Sequence, residues 1–133
     1  DYSITFFYGI FHKDRSLEYI NGGHPYPFLF DGKEVHELTG SGHLIMNIDL
    51  NDVDEVQKIQ LNENSIVLLY TDGASEAIFS NTEILGQGRL KNIFMKSIQN
   101  NKDVTKLIFD GIKDLCGSDS IRDDIAMLAL EVR

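Results

Sequence analysis

The chain has 133 residues, 42% of them hydrophobic and 25% charged, which suits one domain with a sizeable core. Its formal net charge is −9 and its Lys and Arg residues do not cluster. That argues against a nucleic-acid backbone binder, and a phosphorylated substrate would be repelled unless a cation sat at the point of contact. No apolar run approaches the ~20 residues of a membrane helix and nothing resembles a signal peptide, so the expectation is a reducing, cytoplasmic setting. The single Cys116 has no partner for an intramolecular disulfide and reads as inert core.

Ile4 to Phe11 is β-branched and aromatic and predicts a strand. The polar turn Lys13-Asp14-Arg15-Ser16 leads into a return strand, Leu17 to Ile20, which Asn21-Gly22-Gly23-His24-Pro25 breaks. Pro27 to Phe30 predicts another strand, joined through Asp31-Gly32 to Lys33–Leu38 as a tight hairpin. Thr39 to Asp54 reads as a loop; Val56, Ile59 and Leu61 suggest a strand of unassigned register. Ile66 to Tyr70 is continuously apolar, as expected of a strand covered on both faces.

Two helical patterns follow. Leu90, Ile93, Phe94 and Ile98 share one face; so do Val104, Leu107, Ile108, Ile112 and Leu115, with Asn101 or Asp103 as N-cap and Gly117 as the stop. Ile125 to Val132 predicts a closing strand. Strands, then two helices, then a strand make an α+β layout with helices on an antiparallel sheet. The chain lacks an initial Met and enters an apolar strand almost at once, so it is expected to be a piece of a longer polypeptide.

The chemistry-bearing features lie at the ends of predicted strands. Asp72-Gly73 follows the apolar Ile66–Tyr70 run, and Glu76 stands at i+4 from Asp72, so one helical turn would put both carboxylates on one side. Asp123-Asp124 precedes the last strand. Each pair alone also fits a solvated turn; together they could converge on one cation. Oxygen-only ligands suit Mg²⁺ or Mn²⁺, and no Cys/His spacing for zinc is present. His12, His36 and His43 read as solvated. His24, inside Gly22-Gly23-His24-Pro25-Tyr26-Pro27, sits on a backbone of permissive Gly and rigid Pro, so it is either a structural histidine or a polar group close to the metal site. Ser41 lacks the strand and helix of a nucleophile elbow, and no phosphate-binding Gly-rich loop is present.

Three segments in this order resemble one family. Asn21-Gly22-Gly23-His24-Pro25-Tyr26-Pro27-Phe28-Leu29 is similar to its "NAGHPPPLL" motif, Leu68 to Ala77 to "LLYTDGxTEA", and Arg122 to Leu130 to the closing "DDITLLVL" strand; Gly86-Gln87-Gly88-Arg89-Leu90 also resembles its "FGxERL" helix start. The family is the SpoIIE-type serine/threonine phosphatases of the protein phosphatase 2C (PPM) superfamily.

The resemblance implies an α-β-β-α sandwich, two Mn²⁺ or Mg²⁺ ions between the sheets, and a metal-activated water that attacks phosphoserine or phosphothreonine. It implies that Asp72 and Asp123 are metal ligands, that Asp124, next to Asp123, supports the site, that Gly73 lies near it, and that Glu76 and His24 lie near a further metal position. It also implies a phosphoprotein substrate, usually a STAS-type anti-sigma-factor antagonist, and an upstream sensor or receiver domain in the parent protein.

Two departures stand out. The family's earlier acidic motif, which supplies a bridging ligand, is absent here, and Gly42-His43-Leu44-Ile45-Met46-Asn47 replaces its "GxPLG" loop. Residues 1–133 are therefore expected to be one partial domain, the C-terminal two-thirds, lacking the N-terminal strands and prone to self-association through an uncovered edge or face. Two other readings remain: a non-catalytic, partner-binding module of the same fold, and an unrelated acidic α+β domain whose acid pairs are surface turns.

Overall fold

The computed structural model describes residues 4–40, 56–99 and 103–133. In chain order the elements are β1 (Phe6–Phe11), β2 (Ser16–Gly22), β3 (Phe28–Phe30), β4 (Val35–Glu37), β5 (Gln57–Gln60), β6 (Ile66–Tyr70), the one-turn helix α1 (Asp72–Ser75), α2 (Gly86–Ile98), α3 (Val104–Cys116) and, after a 3-10 turn at Ser118–Ser120, β7 (Met127–Glu131). They make two antiparallel sheets, ordered β1-β2-β5 and β4-β3-β6-β7.

Strand β6 lies inside its sheet, between β3 and β7. Its neighbours Val67 and Leu68 point to opposite faces, and both are fully buried, which is why its sequence shows no polar alternation. Val67 joins Leu17, Tyr19, Leu29, Leu38 and Leu61 in a core between the two sheets. Leu68 and Tyr70 join Phe28, Leu90, Phe94, Ile108 and Ile112 in a second core beneath α2 and α3. There the Phe28 ring packs on Tyr70 and Phe94, with centroids 5.1 and 6.2 Å apart. The layers are helices, four-stranded sheet and three-stranded sheet. On the outer face of the three-stranded sheet, Tyr8 pairs across Ile20 and Ile10 across Glu18. Tyr8 is 58% and Ile10 43% exposed, so among the described residues no second helical layer covers that face.

Most expected elements are present with shifted ends. Strand β2 runs on to Gly22, and the break comes at Gly23, whose φ is +68°. The β3–β4 turn spans Asp31 to Glu34, with Asp31 N–H donating to the Glu34 carbonyl at 3.1 Å. Strand β5 pairs with β2 in a defined register, Leu17 opposite Ile59. Asp103 caps α3 by accepting from Lys106 N–H at 3.2 Å, and Gly117 ends it; the alternative cap, Asn101, lies outside the described residues, as does most of the 39–54 loop. Cys116 packs half-buried against the helical core, and burial pushes its thiol pKa up. Leu115 departs from expectation. It is 46% exposed and lines a groove between α2 and α3 with Ile93 and Leu107 instead of entering the core. The two helices approach closely at Gly111, where an added Cβ would sit 2.8 Å from Ile93 Cγ2.

The Tyr70 hydroxyl is enclosed with no hydrogen-bond partner of good geometry. Burial and then the Glu37 charge push its pKa up to about 12, with the nearby Gln87 side chain opposing. An unsatisfied buried hydroxyl costs about 1–3 kcal/mol. Tyr70→Phe should therefore stabilise the protein by about 1 kcal/mol, read as a higher urea midpoint at unchanged m-value.

Candidate metal centre

The site is assembled where β6 ends. Thr71 follows the strand as the N-cap of α1, and Asp72 opens the helix. Asp72 Oδ1 accepts from Gly73 N–H at 2.9 Å, and Glu76 N–H donates back to the Asp72 carbonyl at 2.8 Å. This single turn brings the exposed Asp72 and Glu76 side chains to the wall of one cleft of about 440 Å³, shared with Ser75, Gln87, Asn21 and His24.

His24 reaches that cleft from the other sheet. Asn21, 2% exposed at the end of β2, holds the His24 backbone at both polar groups. Its Oδ1 accepts from His24 N–H at 2.8 Å and its Nδ2 donates to the His24 carbonyl at 3.0 Å. The amide thus closes a loop that two glycines would otherwise leave loose. The following Pro25 restricts His24 to extended backbone.

Asp123 and Asp124 are exposed residues of the segment before β7 and are not walls of the cleft. They meet it through the backbone. Gly73 is buried so tightly against them that an added Cβ would lie 2.5 Å from the Asp124 carbonyl oxygen and 3.3 Å from that of Asp123. Thr71 holds the same segment: its N–H donates to the Ala126 carbonyl at 3.0 Å, its hydroxyl donates to the Asp124 carbonyl at 3.2 Å, and Ala126 N–H donates to that hydroxyl at 3.0 Å. This pairing delays the regular start of β7 to Met127, two residues later than the sequence pattern suggests.

Thr71, Asn21 and Gln87 were not singled out from the sequence. Thr and Asn in a turn look like ordinary turn residues; what distinguishes them is the distant partners of Thr71, Asp124 and Ala126, and the double hold of Asn21 on the His24 backbone.

A separate cluster lies at the other end of β3. His36 Nε2 is 2.9 Å from Asp31 Oδ2 and 3.7 Å from Glu34 Oε1. Among the described residues, this is where three such side chains bring ligand atoms within 4.8 Å of one another; Asp72, Glu76, Asp123 and Asp124 make no comparable trio. It reads as a hydrogen-bonded hairpin cluster. The Glu34 and Lys33 N–H groups both bond Asp31 Oδ1, and the former, then the His36 ring, lead in holding the Asp31 pKa down from 3.8 to about 2.

A sequence profile of Stage II sporulation protein E (SpoIIE) matches residues 1–133. The chain belongs to the SpoIIE family. Its fold is that of phosphatase domains of the PP2C type. It superposes on the SiaA-PP2C domain of Pseudomonas aeruginosa with a TM-score of 0.73 at 20% identity, covering 90% of this chain and 47% of that one. It superposes on the Mn-presoaked phosphatase domain of SpoIIE from Bacillus subtilis with a TM-score of 0.67 at 18% identity, covering 96% and 56%. In sequence it is 29% identical over 132 residues to Protein IcfG of Synechocystis, covering 95% of this chain and 20% of that protein. The chain thus spans about half of the solved domains and a fifth of the longer relative. No helix among the described residues is long and apolar enough to cross a membrane.

The donor set matches a hard divalent cation in kind. Asp72 and Asp123 each use one carboxylate oxygen for an adjacent backbone N–H, which leaves the other oxygen to face solvent. In number, two to four carboxylates without a tight trio make an open site.

Two outcomes follow. Gly73→Ala should force the α1 and 123–124 backbones apart, destabilising the protein by about 1–3 kcal/mol as overpacking does; urea unfolding measures it. Asp31, with its pKa lowered on folding, contributes stability that is fully present above pH 3.8 and lost as pH falls toward 2. The stability gap between wild type and Asp31→Asn should therefore narrow across that window in acid titrations followed by circular dichroism.

Proposed function

We propose that the chain is the C-terminal portion of a metal-dependent phosphoprotein phosphatase domain that hydrolyses phosphoserine or phosphothreonine. The observation that carries this reading is the contact of Gly73 with the Asp123–Asp124 backbone. Two acidic segments far apart in sequence are thereby brought into backbone contact, one of them carrying the Asp72 and Glu76 walls of the polar cleft, in a chain of the SpoIIE family.

Asp72 and Asp123 would hold the ion, with Asp124 supporting and Glu76 and His24 flanking a further position. Bound Mn²⁺ or Mg²⁺ supplies an activated water and neutralises charge on the phosphoryl oxygens. The relative presoaked in Mn supports that class of ion. The chain's own residues do the rest. Asp72 and Glu76 keep the cleft anionic, so an uncomplexed phosphate is repelled. Gln87, Ser75 and the Asn21-anchored His24 offer hydrogen-bonding groups along its wall. The cleft is open, which suits a phosphorylated residue presented on a protein surface.

The expected substrate is a STAS-type phosphoprotein. An upstream sensor or receiver domain would regulate the parent chain, and the setting would be cytoplasmic. The exposed Tyr8–Ile10 face fits self-association of an isolated piece.

The test is made in the full-length protein. Asp72→Asn and Asp123→Asn should each lower Mn²⁺-dependent dephosphorylation of a phosphoserine protein by at least about a hundredfold, with unchanged circular dichroism. Wild-type turnover by both variants at limiting Mn²⁺ would favour the non-catalytic, partner-binding module.

A further inference from the structure

Thr71 occupies the N-cap of α1, where a threonine hydroxyl ordinarily accepts a hydrogen bond from the first turn of its own helix. Here the hydroxyl makes no such cap. The Gly73 N–H is taken instead by the carboxylate of Asp72. The freed hydroxyl reaches across to the other acidic segment, donating to the Asp124 carbonyl at 3.2 Å and accepting from Ala126 N–H at 3.0 Å. It thereby uses its one donor and one of its acceptor sites on two groups 53 and 55 residues away.

Those bonds fix the segment that carries Asp123. The Asp123 and Asp124 side chains are exposed, and the bond recorded within the pair is local, from Asp124 N–H to Asp123 Oδ1 at 2.8 Å. Ile121 and Ile125 anchor the two flanks of this segment in the helical core; toward Asp72 it is held by the Thr71 hydroxyl, the Thr71–Ala126 backbone bond and the close fit at Gly73. Of the three, the hydroxyl is the one a side-chain change removes without moving the strand.

We propose that Thr71 is a positioning residue for the metal site: its hydroxyl, withdrawn from helix capping, holds the Asp123 segment against Asp72 and so sets the affinity for the divalent cation. The proposal rests on Asp72 and Asp123 being ligands. Removing hydrogen-bond partners that orient metal ligands ordinarily weakens the metal about 10–100-fold, whereas a hydroxyl that merely stabilised the fold would change the melting point and leave affinity in the folded molecules alone.

The experiment measures Mn²⁺ binding by the full-length protein, using electron paramagnetic resonance of free Mn²⁺, with thermal unfolding in parallel. Thr71→Val keeps the shape and loses the hydroxyl; Thr71→Ser keeps the hydroxyl. The expected result is a Kd raised at least about tenfold in Thr71→Val and within about threefold of wild type in Thr71→Ser. Should Val not be accommodated, Thr71→Ala removes the same hydroxyl and should weaken Mn²⁺ equally. Asp72→Asn is the reference. If it weakens Mn²⁺ and a folded Thr71→Val or Thr71→Ala does not, the positioning role is overturned and the metal reading stands. If Asp72→Asn and Asp123→Asn both bind Mn²⁺ like wild type, the metal reading itself fails, and the proposal with it.

Discussion

The site depends on one antiparallel pairing, β6 with β7, carried past its regular end. Along the strands the register runs from Ile66 opposite Glu131 to Tyr70 opposite Met127. Beyond Tyr70 the chain turns into α1, yet Thr71 keeps the pairing through its N–H and its hydroxyl. Gly73 then lets the two backbones touch, because it brings no Cβ. The acidic segments converge because the pairing continues for one residue past the regular strands, through one backbone bond and the Thr71 hydroxyl.

The two cores make that edge rigid. Because Val67 and Leu68 bury opposite faces, β6 is clamped between the three-stranded sheet and the helices. The Tyr70 ring extends the helical core to the last strand residue before Thr71. Strand β3 serves the other wall. It pairs with β6 in the interior of the same sheet and begins four residues after His24, so the histidine arrives beside the end of β6. Groups that must be placed for chemistry gain from standing on such buried elements, since each loose backbone residue would cost about 1–2 kcal/mol to order. The net charge of −9 then has a local meaning. A cleft walled by Asp72 and Glu76, with no Lys or Arg among the described residues that line it, disfavours bare anions and favours cations, whereas in the groove between α2 and α3 Lys96 offsets part of the charge of Asp110 and Asp114.

Much of this was legible in the chain. The unalternating run at 66–70 read as a doubly covered strand because burial on both faces removes the polar positions. The apolar spacings at 90–98 and 104–112 read as helices because one stripe must face the sheet. Asp103 and Gly117 read as ends because an acceptor side chain and a left-handed glycine satisfy terminal backbone groups. Asp72, Glu76 and Asp123 are legible as carboxylates at element boundaries. Leu107 and Leu115 continue the spacing of the stripe, yet both line the α2–α3 groove, a position that spacing along α3 does not reveal because it depends on where α2 packs.

By itself the sequence determined the local states: which stretches extend, which coil, where they stop, and that two acid pairs sit at strand ends. Those properties depend on neighbours within a turn or two, so composition and period carry them. Only the tertiary structure decided that Thr71 forgoes its cap for Asp124 and Ala126, that Asn21 anchors His24, and that Gly73 abuts Asp123 and Asp124. Each of these depends on a partner held by a different element or by a turn whose closure the sequence does not report, and a Thr, an Asn or a Gly has the same local signature whether it ends a helix, decorates a turn or fastens two strands together.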